Sequence, residues 1–260
     1  MSNIDWNAAI RYAQLVQIAE AVDPAAEIGQ AGKDAIAALG YAWIQSFYAN
    51  DLATDISPSA GDDVVSFGFL AAGGRELVVS IRGTEGIFEW IDDSRFLLIP
   101  CPVAGSHGWT EDGFSAIYKS FRSVRNDKTA PHLIGDINAL LATGAYDSVT
   151  ICGHSLGGAL TSFLGLDVAL NTPGKNPSVY SYASLRVGDP AFASQYNSGV
   201  PDTWRIVNRS DLVPKLPPIL PIPYEHVNTL FELVATPGTL GSNGAPRWAT
   251  MTRTGASIWR

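Results

Sequence analysis

Apolar residues fall along this chain in runs with two distinct periods. Ile10, Ala13, Leu15, Val16, Ile18, Ala19 and Val22 recur at mixed three- and four-residue steps, which predicts a first helix. Ile36, Leu39, Ile44 and Phe47 carry the same reading into a second helix over 34–49. Val65, Phe67 and Phe69 alternate instead, as a half-buried strand does, and Gly73-Gly74 then turns the chain. Residues 77–81 form a nearly continuous apolar run, the signature of a central strand buried on both faces.

The alternation continues downstream. Phe114, Ile117, Tyr118 and Phe121 have helical spacing, as do Leu133, Ile137, Leu140 and Leu141. Residues 148–152 read as a short buried strand, 157–170 as a helix, and 179–182 and 204–207 as later strands. Strands alternating with helices predict an α/β fold with a mostly parallel sheet covered by helices on both faces. Pro214, Pro217, Pro218, Pro221 and Pro223 mark a stiff irregular segment after the last of these strands.

Length and charge narrow the picture. The 260 residues suit one domain over 1–260, and a chain of this size buries a core without disulfides or metal. A net charge of −8 with no basic run argues against nucleic acid, and against electrostatic attraction to anionic lipid. Cys101 and Cys152 make no disulfide framework, and Cys152 reads as a buried strand residue. The histidines His107, His132, His154 and His226 are scattered, so no metal site is expected. The start of the chain lacks a basic, apolar leader, and no run approaches the roughly 18 apolar residues of a membrane span. A cytoplasmic protein, or a secreted one whose signal has been removed, is the expectation.

The candidate chemistry lies at Gly153-His154-Ser155-Leu156-Gly157, which fits G-x-S-x-G between an apolar strand and a helix. The serine of such an elbow sits on a strained turn, and side chains at the flanking glycines would collide with neighbouring backbone. The pattern predicts an α/β-hydrolase fold with Ser155 as nucleophile and no cofactor. The Leu156 amide is then one donor of an oxyanion hole. Arg82-Gly83-Thr84 ends the central strand where a second donor is needed, and Thr84 offers both an amide and a hydroxyl.

Several segments resemble the class 3, or fungal-type, lipases, a family that includes feruloyl esterases. They are residues 153–158 at the nucleophile, Arg82-Gly83-Thr84, Glu89-Trp90-Ile91-Asp92-Asp93, Gly113-Phe114 with Tyr118, the segment 186–192, and the segment 208–218. The resemblance runs from the first helix to about Glu232, and residues 235–260 do not share it. It implies Ser155 as nucleophile, Asp211 as the acid, and Thr84 with Leu156 as the oxyanion hole. Chain order agrees, since the acid of this fold follows the serine just beyond a strand end. Asp202 precedes its strand, and Asp189 reads as a turn or capping residue before Pro190.

The resemblance also makes a lid of the segment around Ile87, Phe88, Trp90 and Ile91, whose apolar face would cover the site and turn to a lipid–water interface on opening. A triacylglycerol lipase is the first expectation, acting on lipid or another ester. A feruloyl or short-chain carboxylesterase stands beside it. So does a hydrolase-fold protein that binds an apolar ligand with an incomplete triad.

One departure concerns the base. His226 is the one histidine after Asp211, so chain order makes it the candidate. In the family a histidine at this point belongs to a non-catalytic motif, and the catalytic one comes from a segment near the C-terminus. Residues 235–260 contain no histidine. Either His226 has taken the role or the natural C-terminus is altered or missing. His107, His132 and His154 are expected to be non-catalytic, with His154 pointing away from the elbow.

Overall fold

The computed structural model describes residues 4–50, 64–84, 96–127 and 129–233. The expected lid residues Ile87, Phe88, Trp90 and Ile91, and the segment 235–260, lie outside them.

The first helix, α1, spans Trp6–Glu20, started by Asp5, whose side chain accepts hydrogen bonds from the amides of Asn7 and Ala8. A second, α2, covers only Gln30–Ala38. The expected helix over 34–49 is thereby corrected, because Ala42–Asn50 is a strand, β1. Gly40, at φ 87°, ends the helix in a conformation that glycine adopts without strain. The Trp43, Ile44, Phe47 and Tyr48 side chains that follow suit a pleated surface, and Phe47 packs on Phe121 with ring centroids 5.0 Å apart.

Strands β2 (Val64–Gly73) and β3 (Glu76–Ile81) join through the expected glycine turn, with Gly74 at φ 59°. A short ribbon, β4 (Leu98–Pro100) with β5 (Trp109–Glu111), leads into helix α3 (Asp112–Lys119). Helix α4 (Leu133–Ala142), strand β6 (Ser148–His154) and helix α5 (Leu156–Asn171) follow. Strand β7 (Ser178–Tyr182), helix α6 (Pro190–Gly199), strand β8 (Thr203–Asn208) and strand β9 (Thr229–Leu233) complete the order.

These residues build a seven-stranded sheet in the order β1-β2-β3-β6-β7-β8-β9. The pairs β1–β2 and β2–β3 are antiparallel, and each later neighbouring pair is parallel. β3 lies beside the central strand β6, between it and β2, and its apolar residues are fully buried as its sequence requires. α1 covers one face, where Leu15 and Val16 join a core with Phe69, Val78, Cys152 and Ile206. The other face is covered by α3, α4, α5 and α6, whose Phe114, Ile137, Phe163 and Phe192 share a core with Leu77, Val79 and Ile151. The alternation of Val78 and Val79 between the two cores shows the strand period at work.

Candidate active site

β6 delivers the chain to Ser155 and α5 carries it away. Between them Ser155 adopts φ 54° and ψ −120°, a conformation costly for a side-chain-bearing residue. The amide of Ser155 donates to the Tyr182 carbonyl at 2.9 Å, which anchors the turn to β7. Both flanking glycines are sterically required. A Cβ on Gly153 would lie 2.4 Å from the Gly157 carbonyl oxygen, and one on Gly157 would lie 2.3 Å from the Arg82 carbonyl oxygen. The expected steric reason for G-x-S-x-G is thus visible atom by atom. The Ser155 hydroxyl is buried and has no hydrogen-bond partner among the described residues.

Leu156 opens α5, so its amide has no carbonyl one turn earlier to bond to, and the dipole of a 16-residue helix points its positive end at the same spot. β3 runs parallel to β6 with Ile81 level with Gly153. Extending the register by two residues puts Arg82 and Gly83 beside the elbow, and the close approach of Gly157 to the Arg82 carbonyl confirms the contact. Thr84, half-buried, comes next.

Asp211 lies past the end of β8, two strands from β6, so it and Ser155 share the carboxyl edge of the parallel sheet, where open α/β sheets bind ligands. Its amide donates to the Asn208 carbonyl at 3.0 Å, and its Oδ1 accepts from the Val213 amide at 3.0 Å.

His226 is not brought to either of them. Its Nε2 lies 2.6 Å from the Pro214 carbonyl oxygen, and its Nδ1 is buried with no hydrogen-bond partner among the described residues. A carbonyl only accepts, so Nε2 carries the proton and Nδ1 the lone pair. Burial, and then the neighbouring Arg205 guanidinium, push the imidazole pKa down to about 3, so the ring is neutral. In this arrangement neither ring nitrogen reaches the Ser155 hydroxyl or Asp211. The expected Ser155–His226–Asp211 relay is not assembled here, because the proline-rich segment holds the ring against its own backbone.

The other histidines are accounted for. His154 Nδ1 lies 2.6 Å from Glu20 Oε1. His132 precedes α4 as its cap, with Nε2 2.7 Å from the Tyr118 carbonyl oxygen, and His107 is exposed. Asp189 caps α6 by accepting from the Phe192 amide at 2.8 Å, as its position before Pro190 predicts. Sequence reading missed two polar groups. Arg205, inside β8, is buried and its pKa is lowered to about 10 by burial and by Arg186. Glu20 stands in the last turn of α1, an unfavourable place for an acid, and that misfit is the signal that marks it. Among the described residues no helix is long and apolar enough to cross a membrane, and no cluster of His, Cys, Asp and Glu is arranged to hold a metal ion.

Fold and elbow together define an α/β-hydrolase. Residues 78–220 match the family model described as lipase (class 3), and the chain belongs to that family. It is similar to phospholipase A1-II 3 of Oryza sativa subsp. indica, at 34% identity over 168 residues, covering 56% of this chain and 40% of that protein. It is also similar to a lipase of Rhizomucor miehei, at 35% identity over 149 residues, covering 55% of this chain and 38% of that protein. The chain thus spans well under half the length of these relatives. Among solved structures, Rhizomucor miehei triacylglyceride lipase superposes with a TM-score of 0.65 at 24% identity, covering 90% of this chain and 82% of that one. A triacylglycerol lipase whose catalytic centre is a serine protease triad superposes with a TM-score of 0.69, also at 24% identity, covering 90% and 82%.

Proposed function

We propose that this protein is a serine-dependent carboxylic ester hydrolase acting on lipid esters. The observation that carries the reading is Ser155, held in a strained turn at a helix N-terminus between two glycines that leave no room for a side chain. Strain of this kind persists only where surrounding structure enforces it, and it serves to present a nucleophile. In the reaction the Ser155 oxygen bonds to the ester carbonyl carbon, and the carbonyl oxygen becomes an anion bound by the Leu156 amide and by Thr84. Collapse breaks the ester bond, and the alcohol leaves with the proton given up by Ser155. Water then cleaves the acyl-enzyme to the acid and restores the hydroxyl. Asp211 is the proposed acid of the relay.

The lipid substrate is supported by the relatives, named as phospholipases, lipases and a secreted mono- and diacylglycerol lipase of Fusarium solani. It is also supported by exposed apolar side chains in the segment that follows Asp211, with Leu212, Ile219 and Leu220 at 60%, 58% and 75% exposure. The lid over 85–93, with Ile87, Phe88, Trp90 and Ile91, belongs to the same proposal, as does one domain over 1–260.

The placement of His226 favours a second reading, a hydrolase fold that binds an apolar ligand with an incomplete triad. Hydrolysis of p-nitrophenyl esters over a range of acyl lengths separates the two. Turnover that disappears in Ser155→Ala supports the enzyme. Retention of an alkyl ligand without any Ser155-dependent turnover supports the binder and overturns the enzyme.

A further inference from the structure

Glu20 is the last residue of α1, the negative end of the helix dipole, where an acidic residue is disfavoured. What holds it there is a pair of donors, one at the end of β6 and one just past the end of β3. Its Oε1 accepts from His154 Nδ1 at 2.6 Å and from the Gly83 amide at 3.4 Å. Since a carboxylate oxygen accepts, Nδ1 is the protonated nitrogen of His154. The pair is largely sheltered, with 24% of the Glu20 side chain and 27% of the His154 side chain exposed.

The packing around this junction leaves no slack. A Cβ on Gly83 would lie 3.1 Å from the His154 carbonyl oxygen, 3.2 Å from Glu20 Oε1 and 3.3 Å from His154 Nδ1. Glycine at 83 therefore lets the end of β3, the end of β6 and the end of α1 close on one point. His154 immediately precedes Ser155, and Gly83 immediately precedes Thr84. One carboxylate thus ties together the two backbone segments that carry the nucleophile and the two oxyanion donors.

We infer that Glu20 is a positioning residue that sets the spacing between the Thr84 and Ser155–Leu156 limbs of the oxyanion hole. It touches no reacting atom and acts through Gly83 and His154. This rests on the reading of Ser155, Leu156 and Thr84 given above. Donors of an oxyanion hole act only when aimed at the developing charge, so a displaced limb lowers transition-state binding more than substrate binding.

The full chain with Glu20→Ala and Glu20→Gln tests this, with kcat and KM on p-nitrophenyl butyrate and the affinity for butylboronic acid, which adds to a serine hydroxyl as a tetrahedral adduct. Glu20→Ala is expected to lower kcat by about 10- to 100-fold, with KM within about twofold, and to weaken the boronate by a similar factor. Glu20→Gln keeps an oxygen that accepts from both donors and is expected to recover most of the loss. Where Glu20→Ala lowers the yield of folded protein, Glu20→Asp carries the same test, since it keeps the charge but is too short to reach both donors. A variant that lowers only the melting temperature, with kcat and boronate affinity unchanged per folded molecule, overturns the inference, as does equal loss in kcat and 1/KM. If Ser155→Ala abolishes turnover and boronate binding while the Glu20 variants change neither, Glu20 alone fails. If Ser155→Ala changes nothing, or the unaltered chain neither turns over ester nor binds the boronate, the site reading fails and Glu20 falls with it.

Discussion

The elbow after β6 and the segment after β8 meet at the same edge of the sheet but are held in different ways. At the elbow five consecutive residues determine the geometry. Gly153 and Gly157 admit backbone at distances no side chain tolerates, and Ser155 is left at φ 54° with its hydroxyl unclaimed by any described residue. After β8 the contacts are with distant or merely adjacent backbone. Asp211 caps its own turn, Arg186 Nη1 donates to the Pro217 carbonyl at 2.7 Å, and His226 Nε2 is satisfied by Pro214. A serine acting as nucleophile needs a base within hydrogen-bond reach, and at the elbow no described residue supplies one. A base must have the right partners, and the second region gives His226 the wrong ones.

The sharpest break in that comparison is Ser155→Ala. It removes the group the elbow presents while leaving the backbone free to keep its turn. Turnover of p-nitrophenyl esters is expected to fall by about 10⁴-fold or more, with the circular dichroism spectrum unchanged. Residual turnover above a percent or so would move the nucleophile elsewhere. Thr84→Val comes next. Loss of a side-chain donor at the oxyanion is expected to cost about 3 kcal/mol in kcat with little change in KM. An unchanged kcat would leave the hole to backbone amides alone.

Gly157→Ala sharpens the steric half of the comparison. Its Cβ would stand 2.3 Å from the Arg82 carbonyl oxygen and 2.6 Å from that of Ile81, both backbone, so β3 or α5 has to shift. A loss of about 1–3 kcal/mol in urea unfolding is expected, the usual range for overpacking, together with reduced turnover. Gly144→Ala, in a turn at φ 73° with open space around its Cβ position, adds backbone strain without a clash and is expected to cost less. Equal costs at the two glycines would mean that the close approach at the elbow is easily relieved.

The contrast between the two regions also explains how much was legible in the sequence. The elbow was, because a steric requirement acting over five residues leaves glycines at fixed offsets. The parallel strands were, because burial on both faces leaves continuous apolar runs such as 77–81. β1 was not. Ile36, Ile44 and Phe47 mimic a helical step, and only Gly40 at φ 87° divides them. β9 was missed because Leu230 stays 47% exposed and the strand buries too little to show a pattern. Chain order made His226 a candidate base, but order carries no direction for a ring, and the Pro214 carbonyl sets that direction. Glu20 shows in the sequence only as an acid misplaced in a last helical turn, and its role does not show because its partners lie 63 and 134 residues away.

The smallest expected effect, and the one that decides the second region, comes from His226→Gln. The glutamine amide nitrogen can still donate to the Pro214 carbonyl, so the local backbone keeps its partner. If the ring serves structure as it is placed here, kcat should change by less than about tenfold, against the 10⁴ or more expected of a triad member. A loss equal to that of Ser155→Ala, with no further loss in the double variant, would instead return His226 to the relay. Stability gives a second measure. The folded pKa of about 3 lies below the ordinary histidine value of 6.5. Below that value the unfolded chain takes up a proton that the folded one refuses. The contribution of His226 is therefore fully present above pH 6.5 and is lost as pH falls toward 3. His226→Gln does not titrate, so its melting temperature should fall less between pH 7 and pH 4 than that of the unaltered chain, the carboxylates titrating alike in both. Parallel curves would show that the ring is free to leave the Pro214 carbonyl and take a proton in solution, and would reopen the path from His226 to Ser155.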